Sequence, residues 1–134
     1  MLFDTGALVA LVDRSDRNHG RCREFFESFH GRLLSTEPVV TEATYLFSSS
    51  LSAQKSCISF FTRGGAVLIP QSQRSLSRAA DLMEKYQNIP MDFTDATLVV
   101  LGEEAQIHEV FTLDRRGFEI YRLNGRKPFT IWPN

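Results

Sequence analysis

The sequence predicts an α/β protein with three layers, α/β/α, around a mostly parallel central sheet of about five strands. Three observations carry this expectation. Short apolar runs alternate with longer stretches whose apolar residues recur at helical spacing. Helices between the apolar runs imply crossover connections, which make a sheet parallel and cover both of its faces. Finally, Asp4 and Asp114 each follow an apolar run at once. That is the rim where parallel sheets bind ligands.

The elements follow in order. Leu2-Phe3 is a short buried strand, and Ala7 to Val12 a short apolar helix. From Arg17 to His30, Cys22, Phe25, Phe26 and Phe29 fall at helical spacing. Leu33 to Ser35 is the second strand. Thr36-Glu37-Pro38 starts a helix, with proline in the first turn, and Val39, Val40, Ala43, Leu46 and Phe47 share a face. Another helix runs through Cys57, Ile58, Phe60 and Phe61 until Gly64-Gly65 breaks it. Ala66 to Ile69 is the third strand, ended by Pro70. Leu76, Ala79, Ala80, Met83 and Tyr86 mark the next helix, and Asn88 to Pro90 its exit. A helix from about Asp92 to Ala105 follows. Val110 to Thr112 is the fourth strand and Ile120 to Arg122 the fifth. The tail from Lys127 to Pro133 is extended, an edge strand or hairpin.

With 134 residues and no repeat, linker or low-complexity segment, residues 1–134 read as a single domain. A composition of 43% hydrophobic and 23% charged residues suits a soluble globular protein. Cys22 and Cys57 are too few for a disulfide framework and sit among apolar helix residues, as buried thiols do. No run is long enough for a membrane span and no signal peptide is visible, so a cytoplasmic protein is expected. The net charge of −1 does not mark a nucleic-acid binder. Arginines nevertheless cluster at 14, 17, 21 and 23, and again at 115, 116, 122 and 126 beside Lys127. Solvated faces are the ordinary reading of such clusters, and phosphate contact the sharper one.

Five acids stand out: Asp4, Glu42, Asp92, Asp95 and Asp114. Asp4 is placed equally well as a helix N-cap or as a ligand, and Thr5 could cap in its stead. Glu42 has apolar neighbours at Val39 and Leu46, as a glutamate at the edge of a buried stripe would. Asp92 looks like a cap, with Asp95 in the first turn behind it. The Ala-Thr-Leu-Val-Val-Leu run after Asp95 is apolar nearly all round, so that helix is buried and Asp95 needs a partner. Asp114 fits a turn, and Thr112 could reach the same place. One hard cation would account for the whole group, since Mg²⁺ and Mn²⁺ prefer carboxylate oxygen. His19, His30 and His108 are not paired at metal spacing, so zinc is not expected. No phosphate-cradling glycine loop or nucleophile elbow is present.

In order, the chain carries Phe-Asp-Thr-Gly-Ala-Leu at its start, Pro-Val-Val-Thr-Glu-Ala at 38–43, Pro-Met-Asp-Phe-Thr-Asp-Ala-Thr-Leu-Val at 90–99 and Phe-Thr-Leu-Asp-Arg-Arg-Gly-Phe at 111–118. Over essentially its whole length it resembles PIN-domain proteins, and specifically the VapC-type toxins of prokaryotic toxin–antitoxin pairs. The resemblance implies a PIN-like fold and a Mg²⁺- or Mn²⁺-dependent endoribonuclease that hydrolyses RNA phosphodiesters with metal-activated water. It places the catalytic, metal-binding quartet on Asp4, Glu42, Asp95 and Asp114. Asp92, Thr112 and Thr5 become candidate accessory residues, and Arg115 and Arg116 candidates for RNA phosphates. Many members carry a further aspartate where this chain has Gly117. The resemblance also implies a cognate antitoxin and a homodimer, for which apolar surface on the first helices would be the contact. Two alternatives remain: a catalytically weak PIN module that binds RNA or protein, and a Mg²⁺-dependent phosphatase acting through Asp4. The phosphatase pattern needs a second aspartate two residues on, where Gly6 stands.

Overall fold

The computed structural model describes residues 1–134. Five strands form one sheet: β1 (Leu2–Phe3), β2 (Leu34–Ser35), β3 (Val67–Leu68), β4 (Glu109–Phe111) and β7 (Thr130–Trp132). Their order is β3-β2-β1-β4-β7, and every pairing is parallel. Strand β1 is central, with Leu2 opposite Leu34 on one side and Val110 on the other. The chain builds outward from β1 through β2 and β3, then returns to β1's other side with β4. The direction of winding therefore switches between β1 and β4, which places a ligand site at their carboxyl ends.

Six helices connect these strands. They are α1 (Thr5–Val12), α2 (His19–Ser28), α3 (Glu37–Leu46), α4 (Leu51–Thr62), α5 (Gln73–Lys85) and α6 (Phe93–Ala105). Strand side chains alternate between faces. Phe3 enters an aromatic cluster with Phe60, Phe61 and Phe111, while Phe111 also meets Phe25 of α2. Leu2 lies beneath α6 on the opposite face. There Gly102 permits close approach, because a Cβ on it would come within 3.1 Å of Leu2 Cδ1 and 2.7 Å of the Ile107 carbonyl oxygen. From Ala96 to Gly102 every residue of α6 is buried, as its unbroken apolar sequence requires. This helix carries Asp95 on its first turn, so packing α6 on β1 brings that carboxylate to the sheet rim.

The structure departs from the sequence expectation in three places. Ile120 to Arg122 is not the fifth strand of the sheet. Instead Arg122–Leu123 (β5) pairs antiparallel with Lys127–Pro128 (β6) in a separate hairpin, and β7 from the extended tail completes the sheet. The turn is set by Asn124 and Gly125, both at positive φ, which these residue types tolerate best. A short helix, α7 (Arg115–Phe118), fills the turn after β4 and was not foreseen. The second helix begins at His19 rather than Arg17. Tyr45, Leu46, Leu51 and Ile58 are large exposed apolar side chains on α3 and α4. Cys22 and Cys57 are buried free thiols, as expected. No helix is long and apolar enough to cross a membrane.

Candidate active site

The acids are delivered by four different elements. Asp4 ends β1 and caps α1, Glu42 lies midway along α3, Asp95 is in the first turn of α6, and Asp114 caps α7. Asp4 is the anchor. It is 5% exposed, and both its oxygens are engaged. Oδ1 accepts from the Thr5 backbone N–H at 2.7 Å, and Oδ2 from the Thr112 hydroxyl at 2.6 Å. The two readings of Asp4 are therefore not exclusive: it caps α1 and still presents charge at the rim. Thr5 does not replace it as cap. The Thr5 hydroxyl is buried and has no protein partner.

Thr112 extends the link. Its oxygen accepts from the Asp114 backbone N–H at 2.9 Å, so one threonine fixes both acids that follow strands. Asp114 Oδ1 then accepts from Gly117 N–H at 3.2 Å. Glu42 Oε2 accepts from the Thr94 hydroxyl at 2.6 Å, a buried donor on α6. Asp95 Oδ2 accepts from the Tyr121 hydroxyl at 3.0 Å. Asp92 is the exposed N-cap of α6, accepting from the Asp95 backbone N–H at 2.8 Å. Capping accounts for its conformation, and it adds negative charge beside Asp95.

The electrostatics are those of crowded like charges. Burial pushes the Asp4 carboxyl up to about 6, with Asp114 and Glu42 adding repulsion against its two hydrogen bonds. Burial likewise pushes Asp95 up to about 8, reinforced by the charges of Asp4, Asp92 and Asp114. Tyr121 is pushed far above its ordinary range, first by burial and then by Asp95, so its hydroxyl stays protonated and donates. None of the chain's three ion pairs involves these acids. No basic side chain neutralises them, so they hold repulsion that a cation would relieve.

No three histidine, cysteine or carboxylate side chains sit close enough to form a preassembled metal group. The carboxylates approach through their fields, while each is turned toward its own protein donor. The donor set nevertheless fits a hard divalent cation: every acid offers oxygen, nothing soft is present, and the unpartnered Thr5 hydroxyl lies next to Asp4 in sequence. The histidines are elsewhere engaged or apart. His19 Nδ1 lies 2.7 Å from the Ala10 carbonyl oxygen, tying α2 to α1.

Two contributors went unseen in the sequence. Thr94 was read only as part of a helix start, and Tyr121 as a strand residue. Nothing local marks either, because each reaches its acid across the fold. Gly117 has a structural reason. A Cβ there would come within 2.8 Å of Asp114 Oδ2 and 2.9 Å of the Tyr121 hydroxyl. Tyr121 thus fills the space beside Asp95 and Asp114 that any side chain at 117 would need.

The comparisons with known proteins agree with this architecture. The PIN domain family matches residues 1–123. Ribonuclease VapC26 of Mycobacterium tuberculosis is 30% identical over 135 aligned positions, covering 99% of this chain and 100% of the relative. Among solved structures, the sarcin-ricin loop cleaving toxin VapC20 of Mycobacterium tuberculosis superposes with a TM-score of 0.75 at 16% identity, covering 81% of this chain and 85% of the other. A chain of a toxin–antitoxin complex from Klebsiella pneumoniae gives 0.66 at 18% identity, covering 89% and 91%. The strand order, the acids at the β1–β4 rim and these matches lead to one assignment: the chain belongs to the PIN domain family.

Proposed function

We propose that this PIN domain is an endoribonuclease, the toxin of a type II toxin–antitoxin pair acting in the cytoplasm, with Asp4, Glu42, Asp95 and Asp114 as its catalytic acids. The observation that carries the reading is four carboxylates from four elements with no basic partner: burial pushes Asp4 and Asp95 up in pKa, threonine hydroxyls hold Asp4 and Glu42, and Thr112 ties Asp114 to Asp4. The similarity to a VapC ribonuclease supports RNA as the substrate. The similarity to a chain of a toxin–antitoxin complex supports an antitoxin that covers the site.

Asp4, Asp95, Asp114 and Glu42 would hold Mg²⁺ or Mn²⁺. The bound cation supplies charge stabilisation at the phosphate and a more acidic attacking water. The chain's own residues do the positioning. Thr112 and the Thr5 amide fix Asp4 in one rotamer, so its charge is preorganised at no later cost. Tyr121 occupies Asp95 Oδ2 and leaves Oδ1 free to bind. Thr94 directs Glu42, the acid assigned to orienting the attacking water. Arg115 and Arg116, exposed beside Asp114, would meet RNA phosphates. The phosphatase alternative fits less well, because that pattern needs a second aspartate two residues after Asp4, where Gly6 stands.

The test is RNA cleavage with Mg²⁺ by wild type and Asp95→Asn. The expected result is metal-dependent cleavage by wild type and near-complete loss in the variant. Near-wild-type rates for Asp95→Asn would remove the assignment.

A further inference from the structure

The two arginine clusters, far apart in sequence, share one concavity beside the acids. It has a volume of about 190 Å³ and is lined by Arg17 from the turn before α2 and Arg21 from the first turn of α2, and by Thr112 and Arg115 from the turn after β4. Thr112 belongs to both places, since its hydroxyl donates to Asp4 Oδ2. The concavity therefore adjoins the acid site.

Its charge is largely uncancelled. Arg115 Nε lies 3.4 Å from Glu119 in an exposed pair, which is worth little. Arg21 donates to the main-chain oxygens of Pro133 and Asn134 at 3.0 and 2.6 Å, which orient its guanidinium. The Arg17 guanidinium makes no hydrogen bond or ion pair. Asp16, the acid preceding Arg17, accepts from the Asn18 backbone N–H with its Oδ1. In a chain of net charge −1, three arginines from two segments around one hollow are a local positive site.

Guanidinium forks match phosphate oxygens in pairs, and a positive hollow beside a negative one suits a chain of regularly spaced phosphates. We propose that Arg17, Arg21 and Arg115 form a subsite for an RNA phosphate flanking the scissile one, an inference that rests on the ribonuclease reading. The acids would hold the scissile phosphate by way of a bound cation, whereas the flanking phosphate would have the arginines alone. The subsite sets how strongly and in which direction the strand lies across the rim.

The experiment measures the salt dependence of single-stranded RNA binding by fluorescence anisotropy, with EDTA present to prevent cleavage. Arg17→Ala is the clean variant, because that side chain bonds nothing in the fold. The slope of log affinity against log salt should become shallower by ~0.7 in Arg17→Ala and by ~1.4 in Arg17→Ala/Arg21→Ala. Arg17→Lys should keep the wild-type slope, and Arg74→Ala, on the exposed start of α5, should do the same. In Mn²⁺, Arg17→Ala should raise KM for the oligonucleotide while kcat holds. Melting temperature checks the fold of each variant. Unchanged slopes in both alanine variants overturn the subsite. Wild type that binds RNA with the expected slopes but never cleaves it overturns the ribonuclease reading and leaves the phosphate subsite standing.

Discussion

Asp95 and Tyr121 show how much of the site depends on single contacts. The tyrosine hydroxyl reaches Asp95 Oδ2 at 3.0 Å, and only glycine at 117 leaves room for it. Glycine at 117 is therefore what gives Tyr121 the room to reach Asp95. Gly117→Ala should cost about 1–3 kcal/mol through overpacking, read from the urea midpoint at constant m. In a double-mutant cycle with Tyr121→Phe, the two effects should fall short of additive, because the phenylalanine lacks the oxygen that a Cβ would meet. Strict additivity would show that the two positions do not compete for space. Asp4, Asp95 and Asp114 stand out in the sequence because each lies at a strand end or helix start where local pattern speaks, whereas Glu42, midway along α3, stands out only against its apolar neighbours. Tyr121 and Thr94 were not, since a hydroxyl that contacts a carboxylate across the fold leaves no periodic trace.

Among elements, α6 does the most to assemble the site. Its apolar sequence predicted burial, and burial beneath β1's partner face carries Asp95 to the rim. Its start is held by Asp92, whose Oδ1 accepts from the Asp95 backbone N–H. Asp92→Ala should therefore destabilise the protein by about 1 kcal/mol, and Asp92→Ser should restore most of that loss. Activity separates capping from a closer role. If Asp92 only caps, the serine variant recovers RNA cleavage together with stability in a denaturation and cleavage series. Recovery of stability without cleavage would place Asp92 among the acids that contact the cation. The elements that misled are equally instructive. Ile120-Tyr121-Arg122 has strand composition, yet Tyr121 is needed at the acids and β5 begins only at Arg122. The Asn124-Gly125 pair, by contrast, was a readable hairpin signal that the apolar pattern overshadowed.

For the whole molecule, the exposed apolar surface and the stored repulsion each make a demand. Tyr45 on α3 and Leu51 at the start of α4 are 76% and 71% exposed. We propose that these side chains meet in the homodimer that the family resemblance implies: Leu51→Asp should shift the sedimentation mass from dimer to monomer, and an unchanged mass would move the contact elsewhere. Burial of Asp4 and Asp95, reinforced by repulsion among the acids, sets the pH dependence of stability. Asp4 and Asp95 titrate at about 6 and about 8 in the fold, both above the ordinary 3.8. Between those values the native state binds more protons than the unfolded chain, so stability falls as pH rises. The penalty is absent below the ordinary carboxylate range and complete once pH passes the Asp95 value. Metal-free protein should thus melt at a lower temperature at mildly alkaline than at mildly acidic pH, and Asp95→Asn should flatten that decline. Mn²⁺ acts in the opposite direction. It binds the native state, and above the Asp95 value it need not displace a proton, so its stabilisation should be largest where the metal-free protein is weakest. Parallel melting curves for wild type and Asp95→Asn across this range, with and without Mn²⁺, would show that the fold stores no such repulsion.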